Sequence, residues 1–203
     1  PVEDEDVSKQ LGRSFKKMGM KVMVGSEVTN VDTSGTGCKV TIKTKKGDEV
    51  IDCDIVLSAV GIIANIENIG LEECGVKTDK GKVLVDEFYR TNIPGIYAIG
   101  DIVPGQALAH VASAEGIICV EKIAGKKVEA LNYNNIPGCT YCNPEVASVG
   151  MTEKAAKAAG YEVKVGKFPF SASGKASASG SKDGFVKLVF DAKYGELLGC
   201  HMI

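Results

Sequence analysis

The sequence lacks tryptophan, has only two histidines, and contains no apolar run that approaches the length of a membrane-spanning helix. Such a helix needs about 20 consecutive apolar residues, and no signal-peptide pattern is visible either. The net charge of −2 gives no reason to expect nucleic acid or an anionic membrane as a partner. These absences leave a globular chain that, at 203 residues and 44% hydrophobic, can bury a core.

Several motifs that carry chemistry are also absent. The sequence has no Gly-x-Gly-x-x-Gly, no P-loop, no Cys-x4-Cys, no serine nucleophile elbow and no internal repeat. Its seven cysteines are an odd number, and several lie inside apolar runs, as Cys119 does. Buried, reduced thiols in a cytoplasmic-type protein therefore fit better than a disulfide framework.

One cysteine pair has the spacing of a metal or redox site. Cys139 and Cys142 are three positions apart, but only Cys200 and His201 could complete a set of four ligands. The pair also does not open a helix after a strand, where a thiolate would be stabilised. A metal or redox role and two incidental thiols both remain open.

The first third of the chain predicts a helix followed by strands. Val7, Leu11, Phe15 and Met18 form one apolar helix face, preceded by acidic residues that suit a helix N-terminus. Residues 55–60 are continuously apolar and predict a strand buried on both faces. Further strands are predicted at residues 21–24, 28–32, 38–43 and 50–54.

The last third is predicted to be strand-rich, after a polar boundary at residues 126–135. Thr152 can cap a short helix at 153–159, and a Ser/Ala/Gly-rich loop is expected at 171–181. Strands are predicted at residues 146–149, 163–170, 185–190 and 197–203, the last two forming a hairpin.

Residues 91–101 dominate the middle of the chain. Pro94 and Gly95 predict a turn, 96–99 a short buried strand, and Gly100 a close approach of the backbone. Asp101 then stands at the carboxyl end of that strand, where open α/β sheets bind ligands. The pattern fits a carboxylate clamp for a hydroxyl-bearing cofactor, and equally an ordinary crossover with an Asp turn.

A long helix is predicted to follow, opening at residues 107–110 and stopped by Gly125. It is apolar over much of its circumference, so we expect it to be central. His110 lies in its first turn, where backbone N–H groups have no partner inside the helix. The useful group at this position is therefore the N–H as much as the imidazole.

Residues 91–101 resemble the second FAD-binding motif of the flavin disulfide reductases, which is Thr, six residues, Ala, any residue, Gly, Asp. Nearly the whole chain is similar to the dihydrolipoamide dehydrogenase branch of that family (class I pyridine nucleotide-disulfide oxidoreductases). The segments that carry the likeness are residues 58–61, 70–72, 90–101, 108–110, 115–116, 143–150, 168–170 and 198–201.

The resemblance implies an α/β and α+β fold, part of a two-dinucleotide-binding-domain architecture followed by the start of an α+β interface domain. Residues 1–60 correspond to the second half of the NAD-binding domain, 61–132 to the second FAD-binding and central segment, and 133–203 to the first part of the interface domain. One departure is at residues 61–65, where the family usually has Gly-Arg-x-Pro-Asn and this chain has Gly-Ile-Ile-Ala-Asn.

The resemblance also implies the cofactors FAD and NAD. Gly100 and Asp101 correspond to the ribityl-binding positions, and Ala107, Leu108, Ala109 and His110 to the isoalloxazine lining. A helix N-terminus there stabilises an anionic reduced flavin. Val28 and Gly61 match positions along NAD. No catalytic residue and no metal ligand is assigned within the chain.

The implied parent enzyme reoxidises protein-bound dihydrolipoamide and passes the electrons to NAD+. It is a homodimer through its C-terminal domain, contributes to cell redox homeostasis, and serves the lipoyl domains of 2-oxo acid dehydrogenase or glycine cleavage complexes. We expect a cytoplasmic location, or the mitochondrial matrix in a eukaryote, and no nucleic-acid or membrane partner.

The family's first FAD motif, redox cysteine pair, NAD fingerprint and catalytic His-Pro all fall outside the sequence. We therefore expect a fragment that is inactive alone. The alternatives are a related reductase of the glutathione, mercuric or transhydrogenase type, and a non-catalytic dimerising module.

Overall fold

The computed structural model describes residues 2–203, which divide into two compact units. One unit is Ser8–Gly61, and the other combines the stretch up to Val7 with Ile62–Ile203. Helix α1 (Glu5–Lys17) has acidic residues in its first turn and basic residues in its last, as the helix dipole favours. The predicted N-terminal helix is confirmed and Val7 is 1% exposed, but Met18 lies one residue beyond the helix and is 44% exposed.

The Ser8–Gly61 unit contains a three-stranded antiparallel sheet in the order β1-β2-β3. Its strands are β1 (Glu27–Asp32), β2 (Cys38–Thr44) and β3 (Gly47–Cys53). Val40 is the buried residue of β2, while the lysines at 39 and 43 point to solvent, which confirms the predicted alternation.

Two predicted strands of this unit are wrong. Residues 21–24 and 55–60 are irregular, and Val24, Leu57 and Val60 are almost fully exposed. A strand exists only when its backbone is hydrogen-bonded to a neighbour. Neither segment has a strand partner anywhere in residues 2–203.

Within Ile62–Ile203, a small core forms around Val76, Val83, Ala98 and Val103. Two short strands of two residues each, β4 (Thr78–Asp79) and β5 (Lys82–Val83), form a hairpin that supplies part of this core. The strand predicted at 96–99 is not formed, because this extended segment makes only one isolated bridge, from Tyr97 to Arg90.

Helix α2 (Ala109–Ile123) begins two residues later than predicted and ends before Gly125. Its buried stripe consists of Val111, Glu115 and Cys119, whereas Ile117 and Val120 are more than 60% exposed. The prediction of a central helix is therefore wrong for the side of α2 that carries Ile117 and Val120. No helix among the described residues is both long and apolar enough to cross a membrane.

The C-terminal part forms a five-stranded antiparallel sheet in the order β6-β7-β10-β9-β8. The predicted helix α3 (Glu153–Ala158) is confirmed, with the Thr152 hydroxyl accepting from Ala155 N–H at 3.1 Å. The expected 171–181 loop instead contains helix α4 (Gly174–Ser179), which Ser173 caps. The strands are β6 (Gly138–Thr140), β7 (Val146–Gly150), β8 (Val163–Pro169), β9 (Phe185–Asp191) and β10 (Leu197–Met202).

A buried ion cluster holds the N-terminal stretch against this sheet. The ammonium of Lys187 on β9 lies 2.9 Å from Asp4, 3.1 Å from Asp6 and 2.8 Å from Glu153. Both Lys187 and Asp4 are 2% exposed. Burial disfavours the charged lysine, but the three carboxylates outweigh it and raise the pKa of Lys187.

The carboxylates respond in the opposite direction. Burial alone would raise the pKa of Asp4, yet hydrogen bonds from Lys187 and from the N–H of Asp6 lower it. Hydrogen bonds from Lys157 and then Lys187 lower the pKa of Glu153. Asp4, Glu153 and Lys187 are therefore all charged at neutral pH.

Candidate functional site

The segment that carries Asp101 is anchored by Thr91. Its hydroxyl donates to the carbonyl of Ile96 at 2.9 Å and accepts from the N–H of Ile93 at 3.1 Å. The Thr91 N–H also donates to Ile96 at 3.0 Å. These bonds close the predicted turn, in which Gly95 has a φ of +84°.

Gly100 packs closely against α2. Its φ is +75°, and a Cβ at this position would lie 3.3 Å from the Cβ of Ala112. A single turn of 3₁₀ helix, Gly100–Ile102, then presents Asp101, whose side chain is exposed. The close approach predicted for Gly100 is therefore to the protein's own helix.

The buried carboxylate of Glu115 connects this turn to the rest of the unit. It accepts from the Gly100 N–H at 2.6 Å through one oxygen and from the Tyr133 hydroxyl at 2.6 Å through the other. The Tyr133 hydroxyl lies 3.3 Å from that of Tyr89. Glu115 is 1% exposed, so these donors are what satisfies it.

Burial and hydrogen bonding determine the protonation of the two phenols in this network. Burial, the hydrogen bond to Glu115 and the contact with Tyr89 together raise the pKa of Tyr133. Burial also raises the pKa of Tyr89. Both phenols stay protonated at neutral pH, and Tyr133 remains a donor to Glu115.

The N-terminus of α2 is open. Leu108 is the N-cap and makes no side-chain cap, while its carbonyl accepts from the N–H groups of Val111 and Ala112 at 3.0 Å. Ala109 and His110, the first helical residues, have no intrahelical acceptor for their N–H groups. The His110 imidazole donates through Nε2 to the carbonyl of Pro137 at 3.2 Å, so it ties the helix start to the next segment.

A cavity of about 620 Å³ adjoins this helix start. Gln106, Ala107 and Leu108 line it, together with Tyr133 and His201. His201 is 1% exposed and donates through Nε2 to the carbonyl of Met151 at 2.9 Å. Its Nδ1 has no partner among the described residues.

The structure brings Gly100, Asp101 and residues 107–110 together on one unit, through the packing of α2 on the Gly100 turn. The exposed carboxylate and the uncapped helix start fit the hydroxyl-bearing and electron-rich parts of a flavin. Val28 lies exposed on β1, and Gly61 has a φ of +135° in the irregular segment after β3. Both belong to the Ser8–Gly61 unit.

Sequence reasoning missed the roles of Glu115, Tyr133 and Tyr89. One signal was present in the sequence. Glu115 follows Val111 and precedes Cys119 at four-residue spacing, so it is a charged residue on an otherwise apolar helix stripe. Tyr133 had no such signal, since it falls within the polar stretch assigned to a boundary.

The cysteines behave differently from expectation in one respect. All seven are free thiols, but only Cys119 is buried, while Cys74 and Cys139 are exposed. Cys142 donates to the carbonyl of Pro144 at 3.0 Å. Across residues 2–203, no group of three or more His, Cys, Asp or Glu side chains is placed to hold a metal ion.

Comparison with known proteins gives matches along the whole chain. Residues 1–116 match the pyridine nucleotide-disulphide oxidoreductase family, and residues 136–203 match the dimerisation domain of that family. Dihydrolipoyl dehydrogenases from Rhizobium etli and Zymomonas mobilis are each 47% identical to the chain over 205 residues. The chain is covered completely but spans only 43% and 44% of these relatives.

Two solved structures are also similar to the chain. LpdA from Mycobacterium tuberculosis superposes with a TM-score of 0.87 at 27% identity, covering all of this chain and 44% of that one. The HOCl-induced flavoprotein disulfide reductase RclA from Escherichia coli superposes with a TM-score of 0.89 at 21% identity, covering 46% of that chain. The second likeness shows the fold alone.

Proposed function

Because the chain belongs to the pyridine nucleotide-disulphide oxidoreductase family, we propose that it is part of an FAD- and NAD-dependent dihydrolipoyl dehydrogenase. The observation that carries the proposal is the 47% identity to enzymes of that name along the entire chain. The parent enzyme takes electrons from dihydrolipoamide and delivers them to NAD+. Cell redox homeostasis is the process that this reaction serves.

The chain's own share is half of a flavin site. Asp101 would accept hydrogen bonds from the ribityl hydroxyls, and the N–H groups of Ala109 and His110 would serve as donors to the electron-rich part of the ring. Ala107 and Leu108 line the cavity beside that helix start. The chemistry that FAD supplies when bound is the passage of an electron pair between a dithiol and NAD+. The protein contributes position and electrostatics.

In the same proposal Val28 and Gly61 lie along NAD, and residues 1–60 form the second half of the NAD-binding domain. Residues 61–132 form the central FAD segment, and 133–203 begin the interface domain. The match of 136–203 to a dimerisation domain supports a homodimer through this end. The partners are lipoyl domains of 2-oxo acid dehydrogenase or glycine cleavage complexes, in the cytoplasm or the mitochondrial matrix.

A chimera tests the proposal. The matching segment of the Zymomonas mobilis enzyme, 47% identical over 205 residues, is replaced by this chain, and NAD+ reduction by dihydrolipoamide is measured together with flavin absorbance. We expect a yellow, active chimera. Asp101→Ala in the chimera is expected to lose most of its flavin, because the ribityl hydroxyls lose their acceptor.

Asp79→Ala, at an exposed position on β4, is the matched control and should leave flavin content unchanged. A chimera that retains FAD but reduces glutathione disulfide rather than oxidising dihydrolipoamide would favour a related reductase. A folded chimera without flavin would favour the dimerising module.

A further inference from the structure

Two cysteines face each other across the sheet of the Ser8–Gly61 unit. Cys38 is the first residue of β2, Cys53 is the last residue of β3, and the two are direct partners in the antiparallel register. Directly paired residues have Cβ atoms about 4.5–5.5 Å apart. A disulfide needs Cα atoms about 4.4–6.8 Å apart, a range that antiparallel partners fall within.

The two strands also approach each other closely at the residues next to this pair. A Cβ on Gly37, the residue before Cys38, would lie 2.9 Å from the carbonyl oxygen of Cys53. The Cys38 thiol lies 3.8 Å from the carbonyl of Asp54, the residue after Cys53. Both thiols are therefore held at one end of the hairpin rather than on free loops.

Both thiols are also accessible. They are half-buried, and both line an open cleft of about 490 Å³. Asp32, Asp52 and Asp54 line the same cleft, against a single cation, Lys39. The acidic lining favours a small reagent that carries positive charge.

No other cysteine among residues 2–203 has a thiol opposite it in a sheet. Cys139 pairs with Ala147, and Cys200 pairs with Val149 on one side and Leu188 on the other. Cys74 and Cys142 lie outside the strands, and Cys119 is buried on α2. The arrangement is specific to the pair at 38 and 53.

We propose that Cys38 and Cys53 are a modification site, a cross-strand dithiol that a small-molecule disulfide converts into an intramolecular disulfide. The Cys38 thiolate attacks one sulfur of the reagent, forming a mixed disulfide and releasing one thiol of the reagent. The Cys53 thiolate then attacks the Cys38 sulfur, forming the protein disulfide and releasing the second thiol. The protein loses two electrons and two protons, and the reagent gains both.

The order of the two attacks follows from the groups around Cys53. Partial burial, the adjacent Cys38 thiol and the carboxylates of Asp54 and Asp52 raise the pKa of Cys53. A thiol with a raised pKa is a rarer thiolate in the first, bimolecular step. In the second step Cys53 reacts within the same molecule, because Cys38 already lies opposite it in the sheet.

The test uses the reduced chain and cystamine, a dicationic disulfide. After reaction, the remaining thiols are blocked with N-ethylmaleimide and the peptides are mapped by mass spectrometry. We expect a linked peptide joining Cys38 to Cys53, with loss of maleimide labelling at both positions. Cys53→Ser should stop at the first step, leaving cysteamine on Cys38 as a mixed disulfide.

Cys139→Ser with Cys142→Ser is the control, because it removes a cysteine pair that is close in sequence but not in register. It should leave the Cys38–Cys53 linkage unchanged. The same reaction in denaturing urea should spread linkages among the cysteines. The proposal is overturned if the folded chain lacks the Cys38–Cys53 peptide, or gives no more of it than the unfolded chain.

Discussion

The backbone N–H of Gly100 donates to the carboxylate of Glu115 at 2.6 Å, which ties the residue just before Asp101 to the buried face of α2. The other oxygen of the same carboxylate holds Tyr133. One buried acid therefore fixes both the turn that presents Asp101 and the segment that leads into the five-stranded sheet.

Glu115→Ala should lower the free energy of unfolding by about 3 kcal/mol, because it leaves the Gly100 N–H and the Tyr133 hydroxyl buried without an acceptor. Urea denaturation measures the loss. Glu121→Ala on the same helix removes only a partly exposed ion pair with Lys126 and should cost less than about 1 kcal/mol. Equal stability of the two variants would contradict the role assigned to Glu115.

Tyr133→Phe should cost about 1–3 kcal/mol, since Glu115 loses one donor. The raised pKa of Tyr133 means that its contribution is complete below pH 10.0, its ordinary value, and is lost as the pH rises toward the folded value. The variant should therefore lose less stability than wild type under strongly alkaline conditions. Thermal unfolding across the alkaline range measures this, and parallel curves would count against it.

Gly100→Ala should destabilise the protein by about 2–4 kcal/mol, because positive φ strains any side chain and Ala112 leaves little room for a Cβ. Gly95→Ala is the matched control within the same motif. Its φ is +84° but nothing lies within 4 Å of its Cβ, so it carries the strain alone, about 1–2 kcal/mol. The difference in urea midpoint between the two variants isolates the packing against α2.

Lys187→Ala should cost about 3–5 kcal/mol, because it leaves Asp4 buried without its cation. Lys157→Ala removes an exposed (i, i+4) pair with Glu153 and should cost about 0.3–0.5 kcal/mol. Chemical denaturation of both variants compares them directly. A small effect at Lys187 would mean that the cluster adds no net stability.

Acid should weaken the same cluster. The pKa values of Asp4 and Glu153 are lowered by folding, so their stabilisation is present above the ordinary values of 3.8 and 4.5 and is lost as the pH falls through the folded values. Asp4→Asn should show a shallower loss of melting temperature than wild type below about pH 3.8, the ordinary value for Asp4. An unchanged acid profile in that variant would remove Asp4 from the acid response.

Local patterns in the sequence predicted most elements whose stabilising contacts are close along the chain. The capped helix after Thr152, the β9–β10 hairpin and the end of α2 before Gly125 all follow from a cap, an alternation or a glycine. The turn before Asp101 was equally local, because Thr91 and Gly95 complete it within six residues.

Features that depend on distant partners could not be read locally. Residues 55–60 have the apolar composition of a buried strand, but a strand also needs a neighbour to pair with. Tyr133 is 18 positions from Glu115 in the sequence. Lys187 is a cation within an apolar strand, and its partner Asp4 is 183 positions away. Nothing in a single sequence reports such pairings.

The contact between Asp4 and Lys187 also sets an order of events during synthesis. The two residues are 183 positions apart, so a ribosome adding about 5–20 residues per second needs roughly 10–40 s to pass from one to the other. Throughout that interval the Asp4 carboxylate lacks the ammonium group of Lys187. The stretch around Asp4 can therefore be fixed to β9 only after Lys187 has been synthesised.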